Sequence, residues 1–187
     1  MRGTPIMSRE AALDPRLQFL HDRRTVSQLT APGPDATQID ALLAAADTAP
    51  DHGKLHPWRF VTLDETSRTA VSDAYAQAQL ERDPDPALVQ RAASKPLRGP
   101  CVVVALARTV EHPKVPAWEQ LAAAAAAVQN LCLAATALGF ASAWRTGWLI
   151  DHPAVRAATG AHDDERIIGM IHLGTPGRRQ DVRGADA

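Results

Sequence analysis

At 187 residues, 45% hydrophobic and 22% charged, the chain has the size and make-up of one ordinary globular domain. Twenty basic residues against twenty-one acidic ones leave a net charge of −1, which gives no footing to a nucleic-acid partner or an anionic membrane. Two cysteines, Cys101 and Cys132, make no disulfide framework and point to a reducing, cytoplasmic compartment.

Residues 1–13 hold Arg2, Arg9 and Glu10 but no apolar secretory core, and are expected to form a mobile tail. A single domain is expected over 14–176, with 177–187 as a second tail. Pro15 to Arg24 reads as a short helix carrying Leu17, Phe19 and Leu20. Pro32-Gly33-Pro34 marks a turn. Asp35 to Thr48 is a stronger helix: Asp35 with Gln38 three residues on has the form of a capping box, and Ile39, Leu42, Leu43 and Ala46 recur at helical spacing. Pro50 stops it, and Trp58 to Leu63 reads as a strand.

Glu65 to Arg82 is helical, Pro84 and Pro86 interrupt it, and Pro86 to Ala93 is helical again. Cys101 to Ala107 is apolar and β-branched without alternation, the signal of a strand buried on both faces. Leu121 to Leu138 carries no charge, yet it is rich in alanine and broken by Gln129, Asn130 and Thr136. A spanning helix needs about twenty mainly apolar residues, so a buried helix is the better reading, with Gly139 at its end. Phe140 to Arg145 and Ile167 to Leu173 complete four expected strands, with a short helix at Pro153 to Thr159 and Gly174-Thr175-Pro176 ending the last strand. Two consecutive helices break strict βαβ alternation. The order predicts an α+β domain, a mixed sheet flanked by helices on both sides. Neither GxGxxG after a strand nor GxxxxGK[ST] is present.

Arg23-Arg24-Thr25 ends the first helix. Two guanidiniums and a hydroxyl can grip a phosphate monoester, or the arginines can simply complement the helix dipole. The connection Ala49-Pro50-Asp51-His52-Gly53-Lys54-Leu55-His56-Pro57-Trp58-Arg59-Phe60 is dense in charge and rings for a loop between a helix and a strand. Asp51, His52, Lys54 and His56 are open to acid–base work, to a metal hydrolase site or to a plain surface role; the proline-bounded loop denies the histidines helical convergence, and no metal is expected. Trp118 in Lys114-Val115-Pro116-Ala117-Trp118-Glu119-Gln120 is a core plug or a wall over a planar ligand. In Trp144-Arg145-Thr146-Gly147 the glycine permits close backbone approach to a ligand, and Arg145 has no neighbouring carboxylate in sequence; a surface turn is the plainer reading.

The order of these motifs, closed by Gly169-x-x-x-Leu173-Gly174-Thr175-Pro176, resembles the nitroreductase family in its short, minimal branch, from about Leu20 to Pro176. The resemblance implies a non-covalently bound FMN, NADH or NADPH as co-substrate, and a homodimer with FMN at the subunit interface. By position, Arg23, Arg24 and Thr25 would hold the phosphate and ribityl chain. Thr48 and His52 would reach FMN from the partner subunit, and Trp144, Arg145 and Thr146 would line the isoalloxazine edge. Ala134 to Gly139 matches the segment assigned to the dinucleotide. The implied reaction passes hydride from NAD(P)H through flavin N5 to a nitroaromatic, quinone or similar acceptor, with His52 and Arg145 as candidate catalytic side chains. Alternatives on the same scaffold are reductive dehalogenation, flavin fragmentation or FMN binding without turnover. The chain departs from the family at Thr25, where serine is usual, at Ser27, where a basic residue is usual, and at Lys54-Leu55-His56, which replaces Asn-x-Gln. Arg178 and Arg179 either reach a phosphate or lie in a free tail.

Overall fold

The computed structural model describes residues 14–177. The expectations for residues 1–13 and 178–187, Arg178 and Arg179 included, lie outside the described residues. Helix α1 (Pro15–Asp22) opens on Asp14, whose carboxylate accepts the Arg16 N–H at 2.9 Å. It stops two residues before the expected end, because Arg23 adopts an extended ψ of 124°. Helix α2 (Ala36–Ala46) carries the expected capping box: Gln38 N–H donates to Asp35 at 2.8 Å, and Asp35 N–H donates to the Gln38 amide oxygen at 2.9 Å.

Strand β2 (Trp58–Leu63), α3 (Glu65–Arg82) and α4 (Pro86–Ala93) fall where the pattern places them. So do β3 (Cys101–Arg108), α5 (Ala117–Ala137), β4 (Ala141–Arg145) and α6 (Pro153–Ala158), within a few residues. Two-residue β1 (Leu29–Thr30) was too short to leave a periodic signal. It explains why β5 (Glu165–Pro176) runs past Leu173: Leu29 pairs with Pro176 and Thr30 with Thr175. The proline ends the ladder, where its missing N–H costs least.

The sheet order is β1-β5-β3-β2, with β4 paired to β5. All four ladders are antiparallel. The sheet is mixed only through one parallel bridge, Thr25 to Ser142. Strand β3 is central, and its first seven residues are buried. Cys101, Val103, Ala105 and Ala107 pack toward α2 and α5, while Val102, Val104 and Leu106 pack toward α3, α4 and α6. Each fully covered Val or Leu contributes about 1.5–3 kcal/mol relative to exposure, so this strand anchors both layers.

Helix α5 is long and apolar enough to cross a membrane by composition alone. Ala124, Ala127, Val128, Leu131 and Ala135 are fully buried against the sheet and α2, so the apolar run is explained by the core. Burial pushes the Cys101 and Cys132 thiols above their ordinary range, so both act as small core side chains.

Candidate functional site

The chain leaving α1 runs alongside β4. Thr25 bridges Ser142, and Val26 N–H donates to the Ser142 carbonyl at 3.1 Å. Two residues on, Ser27 accepts from Arg145 Nη2 at 2.7 Å. These bonds bring Arg23, Arg24 and Thr25 to the same edge as Trp144, Arg145 and Thr146. Arg23 is half-buried, close enough to Cys132 on α5 to act on its thiol. Arg24 folds back on the end of α1, onto the carbonyls of His21 and Arg23.

Trp144 is fixed by a device in β5. Between Ala105 and Leu106 the register to β3 slips, leaving Ile168 as a bulge. The Ile168 carbonyl accepts from Trp144 Nε1 at 3.0 Å. Beneath the indole passes Gly169, where any Cβ would overlap the ring. The glycine therefore sets how closely Trp144 can lie on the sheet.

Arg145 and Thr146 border a cavity of about 240 Å³. Its walls include Ser27, Lys95, Arg98, Arg145, Trp148 and His172, over a floor of Ala143 and Met170. Among the described residues no carboxylate lines it. Arg68 of α3 shapes the loop that carries the two new cations, donating to the carbonyls of Gly99 at 2.7 Å and Pro100 at 3.1 Å. Burial, then the charges of Arg91 and Arg98, lower the Lys95 ammonium from its ordinary value. Arg82 lies 4.5 Å from the centre of the Trp148 ring at the cavity mouth. His172 is 4% exposed, and its Nδ1 meets the Arg98 carbonyl at 2.8 Å; since a carbonyl only accepts, Nδ1 carries the proton. Burial lowers the His172 pKa; the bond to Arg98 opposes this, and the charges of Arg145, Arg68 and Arg98 reinforce it.

The His52 loop is a second constellation. His52 Nδ1 lies 2.7 Å from Glu119 at the start of α5, and Thr48 accepts from Asn130 at 3.2 Å further along that helix. Gly53, Lys54 and His56 all take positive φ, and each non-glycine case costs on the order of 1–3 kcal/mol. The Asp51 carboxylate holds the turn by accepting the His56 N–H at 2.6 Å, while the His56 ring packs 4.5 Å from Trp58. Asp51, His52 and His56 thus face three different partners, and among the described residues no group of three or more His, Cys, Asp or Glu side chains converges.

Among the described residues no hydrogen bond or ion pair links the two constellations within one chain. Arg23 sits by Cys132 and Thr48 by Asn130, positions on roughly opposite faces of α5. Glu119, which holds His52, is about 20 Å along the axis from Cys132. Of the segment matched to a dinucleotide, Ala135 is buried and Leu138 is 43% exposed. Sequence reasoning missed Lys95, Arg98, Trp148 and His172. Two signals were available: the basic run Lys95-Pro96-Leu97-Arg98-Gly99-Pro100 before a buried strand, and a histidine inside the apolar run of β5.

Fold and site together define a class: a three-layer α+β protein with a cationic cavity where its shortest paired strands meet the sheet edge. The family model "Nitroreductase family" matches residues 20–175. YdjA of Escherichia coli K12, provisionally named an NAD(P)H nitroreductase, is 36% identical over 160 residues, covering 86% of this chain and 87% of that protein. Among solved structures, a nitroreductase-like family protein from Bacillus cereus superposes with a TM-score of 0.74 at 22% identity, covering 95% of this chain and 94% of its own. A nitroreductase with bound FMN from Bacteroides fragilis superposes at 0.73 and 24%, covering 94% and 95%. The chain belongs to the nitroreductase family, a family of oxidoreductases.

Proposed function

We propose that the chain is an FMN-dependent oxidoreductase that uses NADH or NADPH to reduce a nitroaromatic, quinone or similar acceptor. The observation that carries this is the joining of Arg23-Arg24-Thr25 to Trp144-Arg145-Thr146 beside a cavity that Arg145 and Thr146 border and that, among the described residues, is lined by cations and no carboxylate. The relative from Bacteroides fragilis holds FMN, and YdjA is named for NAD(P)H. The cavity fits the electron-rich edge of a flavin, because Lys95, Arg98 and Arg145 supply positive charge where a reduced ring gathers negative charge. FMN, when bound, supplies a two-electron carrier that takes hydride from the nicotinamide and delivers it to the acceptor.

The residues divide the remaining work. Arg23, Arg24 and Thr25 bind the phosphate end through charge-assisted hydrogen bonds. Trp144 and Gly169 fix the β4 terminus, so that the Thr146-Gly147 backbone is presented at a constant height. Arg145, steadied by Ser27, takes over the charge that the usual basic residue at position 27 would supply. Thr48 and His52 serve the site of a second copy in a homodimer with FMN at the interface; their attachment to Asn130 and Glu119, away from Arg145, supports that reading.

Purified protein loaded with FMN and then desalted is expected to stay yellow, to bleach with NADH or NADPH under argon, and to recolour when a nitroaromatic or quinone is added. Protein that is colourless after desalting, or whose flavin neither nicotinamide reduces, overturns the proposal.

A further inference from the structure

We infer that His172 is the proton acceptor of the cavity, taking one proton from solvent when negative charge enters beside Lys95 and Arg145 and releasing it when that charge leaves. The inference rests on the flavin reading above and deepens it, for His172 fills an unspecified position of the Gly169-x-x-x-Leu173 motif.

The geometry leaves one ring nitrogen for this task. Nδ1–H is committed to the Arg98 carbonyl at 2.8 Å. Nε2 has no hydrogen-bond partner among the described residues. No fully covered side-chain nitrogen or oxygen there lacks a partner, so Nε2 is not sealed; it opens on the cavity that His172 lines. A buried imidazole with one nitrogen fixed and the other facing a chamber is oriented to receive a proton from that chamber.

The surroundings decide when it does so. Facing His172 are Arg68 and Tyr75 from α3, Lys95 and Arg98 from the loop after α4, Arg145 from β4, and neutral Ser27 beside Arg145. Cys101 adjoins its cross-strand partner Val102. Burial holds the Tyr75 phenol and the Cys101 thiol in their neutral forms, and the arginines and Lys95 already carry their protons. With its ring buried and cations but no anion facing it among the described residues, the imidazole is held toward its neutral form while the cavity holds no anion. An anionic neighbour within about 4–6 Å raises a histidine pKa by about 1–3 units.

Hydride transfer from a nicotinamide brings two electrons and one proton, so the flavin site gains one negative charge unless a second proton follows. His172 supplies the site with that proton from solvent, at Nε2. When hydride passes on, the charge leaves and Nε2 gives its proton up. Hydride plus this proton are the two electrons and two protons that convert a quinone to its hydroquinone.

The test is the proton resonance of His172 in protein labelled with [13C-ε1]histidine, assigned by its loss in His172→Gln. It is followed from pH 5.5 to 9 in apo protein, in protein loaded with oxidised FMN, and after photoreduction under argon. In the first two states the resonance is expected to titrate below the ordinary histidine midpoint. In the reduced state its midpoint should rise by at least one unit, a tenfold gain in proton affinity. His172→Gln protein that binds FMN should lose the matching proton uptake on photoreduction, read with a pH indicator dye. Yellow protein whose His172 midpoint is the same in both redox states overturns this inference alone. Colourless protein overturns the flavin reading and this inference with it.

Discussion

Two regions of one sheet treat positive charge in opposite ways. At the β2 and β5 corner, Glu165 is 6% exposed and fully engaged: Arg59 donates to it at 2.7 and 2.6 Å, and His162 N–H donates at 2.8 Å. Arg59 also ties down the Gly160 carbonyl at 2.9 Å. At the cavity, Lys95, Arg98 and Arg145 line a chamber that holds no carboxylate among the described residues, over a buried His172. Paired charge closes the first corner, and a fold gains nothing by leaving the second unpaired. The first set of cations holds the structure; on the proposed reading, the second awaits a ligand.

The strongest way to break the comparison is to open the paired corner. Glu165→Ala leaves Arg59 partly buried without its carboxylate, and loss of about 3–5 kcal/mol is expected in urea unfolding. Arg59 is itself 38% exposed, which favours the lower end of that range. The same corner has a pH signature. Hydrogen bonds from Arg59 hold the Glu165 carboxyl down to about 2, against an ordinary 4.5. Its contribution is therefore complete above pH 4.5 and is lost as pH falls toward 2. His172, also depressed, acts earlier: the unfolded chain takes up its proton below about pH 6.5 while the folded chain resists, so stability drops there first. His172→Gln should remove the upper drop and Glu165→Ala the lower one.

The cavity corner should give the converse result. Arg145→Ala is expected to weaken FMN binding about 10–100-fold, the worth of one hydrogen bond to a charged group, while unfolding changes by less than about 0.5 kcal/mol. Fluorescence titration with FMN reads the first quantity and urea unfolding the second. If Arg145→Ala destabilises the fold and leaves FMN affinity intact, the two corners are not different in kind.

Gly169→Ala sits between them. A methyl at this position meets the Trp144 indole, so either the indole leaves the Ile168 carbonyl or β5 shifts. A loss of about 1–3 kcal/mol is expected, as for other overpacked sites. FMN affinity should fall as well, because Trp144 fixes the strand that carries Arg145. Trp144→Phe, which lacks the indole N–H, separates the hydrogen bond from the packing.

What the chain showed on reading follows the range of each signal. The long elements were legible because periodicity accumulates: α2, α3, α5 and β3 each repeat a burial pattern over eight or more residues. The capping box at Asp35 and Gln38 was legible because it is local. β1 escaped because its two residues are defined by a partner some 145 positions away. Lys95, Arg98 and His172 escaped for the same reason. They come from a loop and a strand about 75 residues apart, and only the fold makes them one surface. Trp144, Arg145 and Thr146 were found as a run, yet the device that holds them, the Ile168 bulge and Gly169, is non-local.

The smallest expected effect bears on the second copy. His52 and Glu119 are 58% and 29% exposed along their side chains, so their contact contributes at most about 1 kcal/mol. His52→Ala should therefore leave urea unfolding nearly unchanged at low protein concentration. If His52 serves a partner's flavin across α5, the same substitution lowers FMN affinity, and a mixture separates the possibilities. His52→Ala and Arg145→Ala chains each damage a different half of a shared site. Unfolded and refolded together, they form heterodimers in which one of the two sites combines the intact halves. FMN capacity should then recover to about a quarter of wild type, because a random mixture is about half heterodimer and each carries one intact site of two. No recovery on mixing would place both halves within one chain and overturn the shared site.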